Sequence, residues 1–310
     1  MPRTRATASA CTLPGDRADS ASPGRASRRD RVFVPAFARA IASIAAASVA
    51  LAQALHVHAQ EGEGRAPFIT TPPAVVERML ALAGTGPKDY VIDLGSGDGR
   101  IVIAAARRFG ARALGIELDE SLVRVSRDHA RRAGVSERVA FEHGDVLRAD
   151  LSRASVVTIY LLGSLMNRLQ PKLLAELNPG TRIVSHAFSM TGWNPDRSEI
   201  VRLTAPHEGQ GGTSYIFLWI VPAQVRGEWR SAPPPGAREW RFSIAQNFQQ
   251  IEVEIASAGN RLEVKEATLS GPDLAWRAEG ASFRGRVQGG QIVGQIELPE
   301  GATPLVLTRR

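Results

Sequence analysis

Three acids, Asp93, Glu117 and Asp145, each stand at or near the end of a short apolar run, and Asp93 is followed by Gly95, Gly97 and Gly99 at alternating positions. Alternating glycines make a tight turn whose backbone approaches a ligand without interference from Cβ atoms. The apolar segment Ile101–Ala106 behind them reads as a helix, whose first N–H groups and positive dipole end would face whatever sits in the turn. A carboxylate placed like Glu117 can accept both protons of a vicinal diol. One placed like Asp145 can accept from an exocyclic amino group while Val146 or Leu147 covers the ring. Taken singly, each acid is an ordinary strand end or turn aspartate. Taken together and in order, they describe a site for a small polar ligand that carries a nucleoside. A dinucleotide fingerprint would need glycine at position 100, where Arg100 stands, so the spacing disfavours a nicotinamide or flavin dinucleotide.

These residues need a scaffold that brings strand ends together. Apolar periodicity predicts helices over 74–83, 99–109, 120–133 and 165–177, and strands over 90–94, 113–117, 138–142, 155–160, 181–185, 199–203 and 215–220. Thr71 reads as the cap of the first helix with Pro72 as its first residue, Asp119 as the cap of the third, and Gly134 as that helix's stop. Strands alternating with helices predict a doubly wound, mostly parallel sheet of seven strands. In such a sheet ligands bind outside the carboxyl ends of the strands, where the order switches, and the glycine turn belongs there.

From about residue 222 the pattern changes to short alternating segments over 239–244, 250–255, 261–269, 275–277, 282–287, 291–296 and 304–307, separated by glycine turns, with no long helix. This predicts a small antiparallel β domain over 222–310 behind a ligand-binding domain over 60–221. Residues 1–59 read as a leader. Ala40–Leu55 is too short for a span of about 20 residues but suits the apolar part of a signal peptide. Arg28, Arg29 and Arg31 precede it, and Val57-His58-Ala59 offers a cleavage site before Gln60. The expectation is export to a periplasm-like compartment with no stable membrane span left after cleavage. An uncleaved amphipathic anchor is the alternative, and a true start near Val57 would remove the apolar run and leave a cytoplasmic protein. The formal net charge of +7 is mostly leader: residues 1–59 hold eight arginines and three acids, which leaves 30 basic and 28 acidic residues beyond them. That balance gives no footprint for nucleic acid. Cys11 is the sole cysteine and lies in the leader, so the rest can form neither a disulfide nor a thiolate metal site.

Residues 67–221 resemble the class I S-adenosylmethionine (SAM) methyltransferases, and within them the small protein-lysine methyltransferases related to the enzyme acting on the ATP synthase c-subunit. The resemblance rests on Thr71-Pro72 with Val75-Val76 and Met79-Leu80, on the run Asp93–Val102, and on Gly115-Ile116-Glu117. Further matches are Lys172-Leu173 with Glu176-Leu177, Pro179–Ser185, and Trp193-x-Pro195. It implies the Rossmann-like fold of that class, SAM as cofactor and a lysine of a protein as methyl acceptor. Asp93, Gly95, Gly97, Asp98 and Gly99 would line the methionine part of SAM, Glu117 would hold the ribose, and Asp145 with Val146 the adenine. Motif IV reads Thr158-Ile159-Tyr160-Leu161, without the Asn/Asp-Pro-Pro-Tyr signature of enzymes that methylate DNA bases or glutamine. Tyr160 would sit near the methyl group, as an orienting residue or an aromatic wall.

No other constellation carries chemistry. His129, His143 and His207 lack metal-ligand spacing, so no metal is expected. His186 reads as a satisfied structural histidine, and Trp219, Trp229 and Trp240 as core. The rival to an enzyme is a non-catalytic exported binding protein that keeps a SAM-type pocket, with the β domain recruiting a partner.

Overall fold

The computed structural model describes residues 69–207, 211–233 and 238–310, so the leader expected over 1–59 lies outside the described residues. Helix α1 (Pro73–Leu82) buries Val75, Val76, Met79, Leu80 and Leu82. Its cap is Pro72 and Pro73 is the first helical residue, one place later than the sequence reading. Two prolines in a row suit this start, because the first N–H groups of a helix have no intrahelical partner to lose. Thr71 therefore caps nothing, and its side chain turns to His186 instead.

Strand β1 (Tyr90–Leu94), helix α2 (Arg100–Phe109), β2 (Arg112–Glu117), α3 (Glu120–Ala133) and β3 (Val139–His143) alternate as expected. Asp119 accepts a hydrogen bond from Ser121 N at the start of α3, and Gly134 closes it in the left-handed conformation at φ +70°. Then follow β4 (Val156–Ile159), α4 (Gly163–Glu176), β5 (Arg182–His186), β6 (Arg197–Arg202) and β7 (Thr213–Ile220). The seven strands lie in the order β3-β2-β1-β4-β5-β7-β6. All ladders are parallel except those of β7 with β5 and with β6. Strands β1 and β4 are mostly apolar because both their faces are covered, and β5 is buried from Ile183 to His186 although it carries Ser185 and His186. Met79, Val102, Ala105, Val123 and Ala130 pack α1, α2 and α3 on one face. Met166, Leu169 and Leu173 pack α4 on the other, together with Trp193 and Trp219. The order switches between β1 and β4, which sets the glycine turn at the crevice.

The rest forms nine antiparallel strands: β8 (Gly227–Ser231), β9 (Trp240–Asn247), β10 (Gln250–Ser257), β11 (Asn260–Leu262), β12 (Val264–Ser270), β13 (Asp273–Ala278), β14 (Ala281–Gln288), β15 (Gln291–Leu298) and β16 (Gly301–Arg309). Their order is β11-β10-β9-β8-β16-β15-β14-β13-β12, and β10 lies against β12, so the sheet curls almost into a barrel. Trp229, Trp240, Phe242, Trp276 and Phe283 fill its core, as expected for the two of these tryptophans read from sequence. Two expectations are corrected. The segment expected as one strand over 261–269 is two, because the chain breaks at Glu263 before the bulge between Val264 and Glu266. Strand β8 escaped the sequence reading, because Trp229 is its single fully buried residue and one apolar residue shows no alternation.

Candidate active site

The turn after β1 is built from backbone. Gly95, Gly97 and Gly99 have φ of +77°, +53° and +80°, a region that L side chains avoid. Gly95 N and Ser96 N both donate to Ile116 O, at 2.9 and 3.0 Å, which fastens the turn to the end of β2. Ser126 Oγ reaches over from α3 and donates to Gly97 O at 2.8 Å. Gly97 N in turn donates to Glu117 Oε2 at 2.8 Å, while Asp119 N donates to Glu117 Oε1 at 2.9 Å. The sequence thus brings the glycines and Glu117 together through one carboxylate that spans the turn and the following helix.

Asp93 is buried, and its Oδ1 accepts from Thr158 Oγ1 at 2.6 Å across the β1–β4 ladder. Burial pushes its carboxyl up to about 7; the Thr158 hydrogen bond opposes this, and the charges of Glu117 and Asp98 add to it. Asp98 is paired with Arg100. Its oxygens accept from Arg100 Nε at 2.9 Å and Nη2 at 2.7 Å, and Arg100 Nη1 donates onward to Thr71 O at 3.1 Å. Burial raises the Asp98 carboxyl, but the Arg100 hydrogen bonds and charge outweigh it and hold the group below its ordinary value. Asp98 and Arg100 together tie the glycine turn to the segment that enters α1. At the end of β3, Asp145 is exposed and its Oδ1 accepts from Leu147 N at 2.9 Å, while Val146 is buried beside it.

Tyr160 lies one residue beyond β4. Its ring centroid is 4.1 Å from that of His186, at the end of β5, and 6.5 Å from that of Phe188. His186 is 1 % exposed, its Nδ1 lies 3.3 Å from Thr71 Oγ1, and its Nε2 has no hydrogen-bond partner among the described residues. The expectation of a satisfied structural histidine is therefore corrected: one ring nitrogen is met and the other is not. Burial lowers the His186 pKa to about 4, with the nearby His207 adding to the effect, so the imidazole is neutral at physiological pH. His207 itself pairs with Thr70 Oγ1 at 2.9 Å. This group of Thr70, Thr71, His186 and His207 left no spacing signal in the sequence, because the threonines lie more than a hundred residues from either histidine. His129 and His143 contact the carbonyls of Asp98 and Leu118 and are structural. Among the described residues no group of three or more His, Cys, Asp or Glu is placed to hold a metal ion.

Comparison with known proteins places this geometry. The model of the ANTKMT methyltransferase domain family matches residues 93–197, from Asp93 through the start of β6. The chain is 42 % identical over 156 residues to a protein-lysine N-methyltransferase of Saccharolobus islandicus, covering 50 % of this chain and 93 % of that protein. It is 39 % identical over 129 residues to the adenine nucleotide translocase lysine N-methyltransferase of Mus musculus, covering 42 % of this chain but only 56 % of that protein. Among solved structures, an RNA methyltransferase from Salinibacter ruber in complex with S-adenosyl-L-homocysteine is 46 % identical, covers 51 % of this chain and 96 % of its own, and superposes with a TM-score of 0.46.

Proposed function

The chain belongs to the class I SAM-dependent methyltransferases, among the relatives of the small protein-lysine methyltransferases, and on that premise we propose that it N-methylates lysine of a protein. The chain's own residues fit the cofactor. The two backbone donors on Glu117 take two of the roughly four acceptor positions of a carboxylate, so both oxygens keep capacity for the ribose diol. Bound SAM supplies an electrophilic methyl group on a sulfonium, open to in-line attack. Asp93 and the glycine turn would hold its methionine part, with Val146 against the adenine and Asp145 at its edge. Gly95 is needed there for conformation, and a Cβ on it would also press on Leu161 Cδ2 at 2.7 Å. The relatives are enzymes by name, and none of them favours the non-catalytic binding-protein reading.

The observation that carries the acceptor reading is the wall of Tyr160, His186 and Phe188, which is aromatic or neutral throughout. In-line transfer gains most of its rate from positioning and exclusion of water. A lysine ammonium, with an ordinary pKa near 10.4, must shed a proton first, and an apolar, uncharged wall favours the neutral amine. His186 is not the base that takes that proton. An imidazole at about 4 would hold it less tightly than the amine by several orders of magnitude.

Methyl transfer from labelled SAM to poly-L-lysine, with total RNA offered in parallel, tests the acceptor. Label in lysine is expected; label in RNA with none in poly-L-lysine would reject it. Glu117→Ala should weaken SAM binding by about 1–3 kcal/mol, roughly 5- to 150-fold in Kd. Calorimetric titration reads this directly, and an unchanged Kd would remove Glu117 from the ribose site.

A further inference from the structure

Two residues other than glycine hold left-handed backbone on either side of one contact path. Ala187, directly after β5, has φ +65°, and Phe188 N donates back to His186 O at 2.8 Å across it, closing a strained three-residue turn. That turn sets Phe188 beside Tyr160, and Ser185 Oγ donates to Phe188 O at 2.5 Å to hold it. The second residue, Phe248, has φ +54° and is the first of the two turn residues of the β9–β10 hairpin, a place that favours glycine. A bulky aromatic side chain in that conformation is strained and persists only where its surroundings fix it.

Gln246 of β9 donates through Nε2 to Phe248 O at 2.7 Å, and the ring is held by the loop after β5. The Phe248 ring stacks on Trp193 with centroids 5.4 Å apart and planes 8° from parallel. Gln249, beside it, accepts from Trp193 Nε1 through Oε1 at 2.9 Å and donates through Nε2 to Asn194 O at 2.7 Å. Trp193 is 1 % exposed, and its carbonyl accepts from Trp219 Nε1 at 2.9 Å, so the contact is anchored in the sheet. Between Phe188 and Trp193 the loop has its own stays: Met190 is buried and Thr191 N donates to Asn167 Oδ1. A second junction brings the domains together below, where Gly180 and Gly271 approach so closely that a Cβ on Gly271 would lie 2.9 Å from Gly180 Cα. The hairpin tip is thus held rigidly against the loop that carries Phe188.

We propose that Phe248 and Gln249 are positioning residues for methyl transfer: the β domain clasps the 187–194 loop and thereby fixes the Phe188–Tyr160 wall of the acceptor site. The inference rests on the reading that the acceptor enters along that wall. It gives the β domain a catalytic purpose, as a brace on the side of the site away from the glycine turn and Glu117.

The test uses the full chain with Phe248→Asn and Gln249→Ala combined. Asparagine tolerates positive φ, so the hairpin turn survives while the ring and both Gln249 hydrogen bonds are lost. Hydrogen exchange should quicken across 187–194 while β1 amides keep wild-type protection. SAM affinity should stay within twofold, and kcat on poly-L-lysine should fall by about tenfold or more through misplacement of the acceptor. Phe248→Tyr, which keeps the ring, should retain loop protection and transfer. Unchanged exchange in 187–194 would overturn the proposal, as would quickened exchange with unchanged transfer, or a loss of protection spread through β1. Wild-type protein that labels RNA and leaves poly-L-lysine unlabelled would reject the lysine reading alone; the exchange measurement would then decide the clasp.

Discussion

Gly99→Ala is expected to cost about 2–5 kcal/mol of stability and to abolish measurable SAM binding. The left-handed backbone at φ +80° accounts for about 1–2 kcal/mol of this, because a Cβ there crowds its own carbonyl. Overpacking accounts for about 1–3 kcal/mol more. The added methyl would lie 2.7 Å from Phe141 Cε1 and 2.9 Å from Ser126 Cβ. Neither atom is the loose end of a flexible side chain: Phe141 is a buried ring on β3, and Ser126 is fully buried on α3. Moving Ser126 also breaks its hydrogen bond to Gly97 O, which shapes the turn around the cofactor. Gly134→Ala provides the comparison. Its φ is +70°, but a Cβ there meets nothing, so it should pay the backbone cost alone and leave SAM binding intact. Urea midpoints and calorimetric titrations of both variants measure the difference. A Gly99→Ala protein that binds SAM with wild-type affinity would show that the turn has more room than its packing implies.

The parts of this molecule that were legible in the sequence are those written in local pattern. The seven-stranded sheet followed from apolar runs such as Val156–Ile159 and from caps such as Asp119 and Gly134, each of which acts within a few residues. The gathering of Asp93, the glycines and Glu117 was legible for the same reason: they sit at ends of elements that lie side by side in the sheet. The acceptor side was not. Tyr160 was visible as a strand-end residue, but the half-met state of His186 depends on Thr71, 115 residues away, which had looked like a helix cap. The resemblance set Asp98 on the methionine part of SAM, and nothing in the local pattern announced that Arg100 engages both of its oxygens. Nothing in the residue types of Phe248 or Ala187 announces positive φ; each is held by a combination of local hydrogen bonds and contacts made across the fold. Sequence pattern reports what a segment would do alone, and the acceptor wall is made of residues doing what their neighbours require.

Asp93 shows the same tension in energetic form, and Asp93→Asn is expected to stabilise the cofactor-free protein while crippling its cofactor binding. The folded carboxyl titrates at about 7 against an ordinary value of 3.8, chiefly because burial disfavours its charge. The folded state therefore retains a proton that the unfolded chain releases. The contribution of Asp93 to stability is fully present below about pH 4 and is lost as pH rises towards 7. Asparagine has the same shape, and its Oδ1 can still accept from Thr158 Oγ1, but it has no charge to bury. The variant should accordingly exceed wild type by up to roughly 4 kcal/mol above pH 7, with the gain shrinking as pH falls towards 4. Cofactor binding should move the other way. A carboxylate facing the cationic amino group of SAM forms a charge-assisted hydrogen bond, and replacing it by a neutral amide should cost about 1.5–3 kcal/mol. The same pairing would draw the Asp93 carboxyl down, so wild-type binding near pH 6.5 should release a proton, and calorimetry in buffers of different ionisation enthalpy would detect it. Thermal unfolding of both proteins at pH 5 and pH 8 reads the stability arm. If Asp93→Asn is the less stable protein at pH 8, the carboxyl is not paying a burial cost; if it binds SAM as wild type does, the carboxylate has no cationic partner there. An acid that weakens the empty fold yet stands in a buried strand is what a site that trades stability for ligand binding would carry, and the two arms together decide whether Asp93 is such an acid.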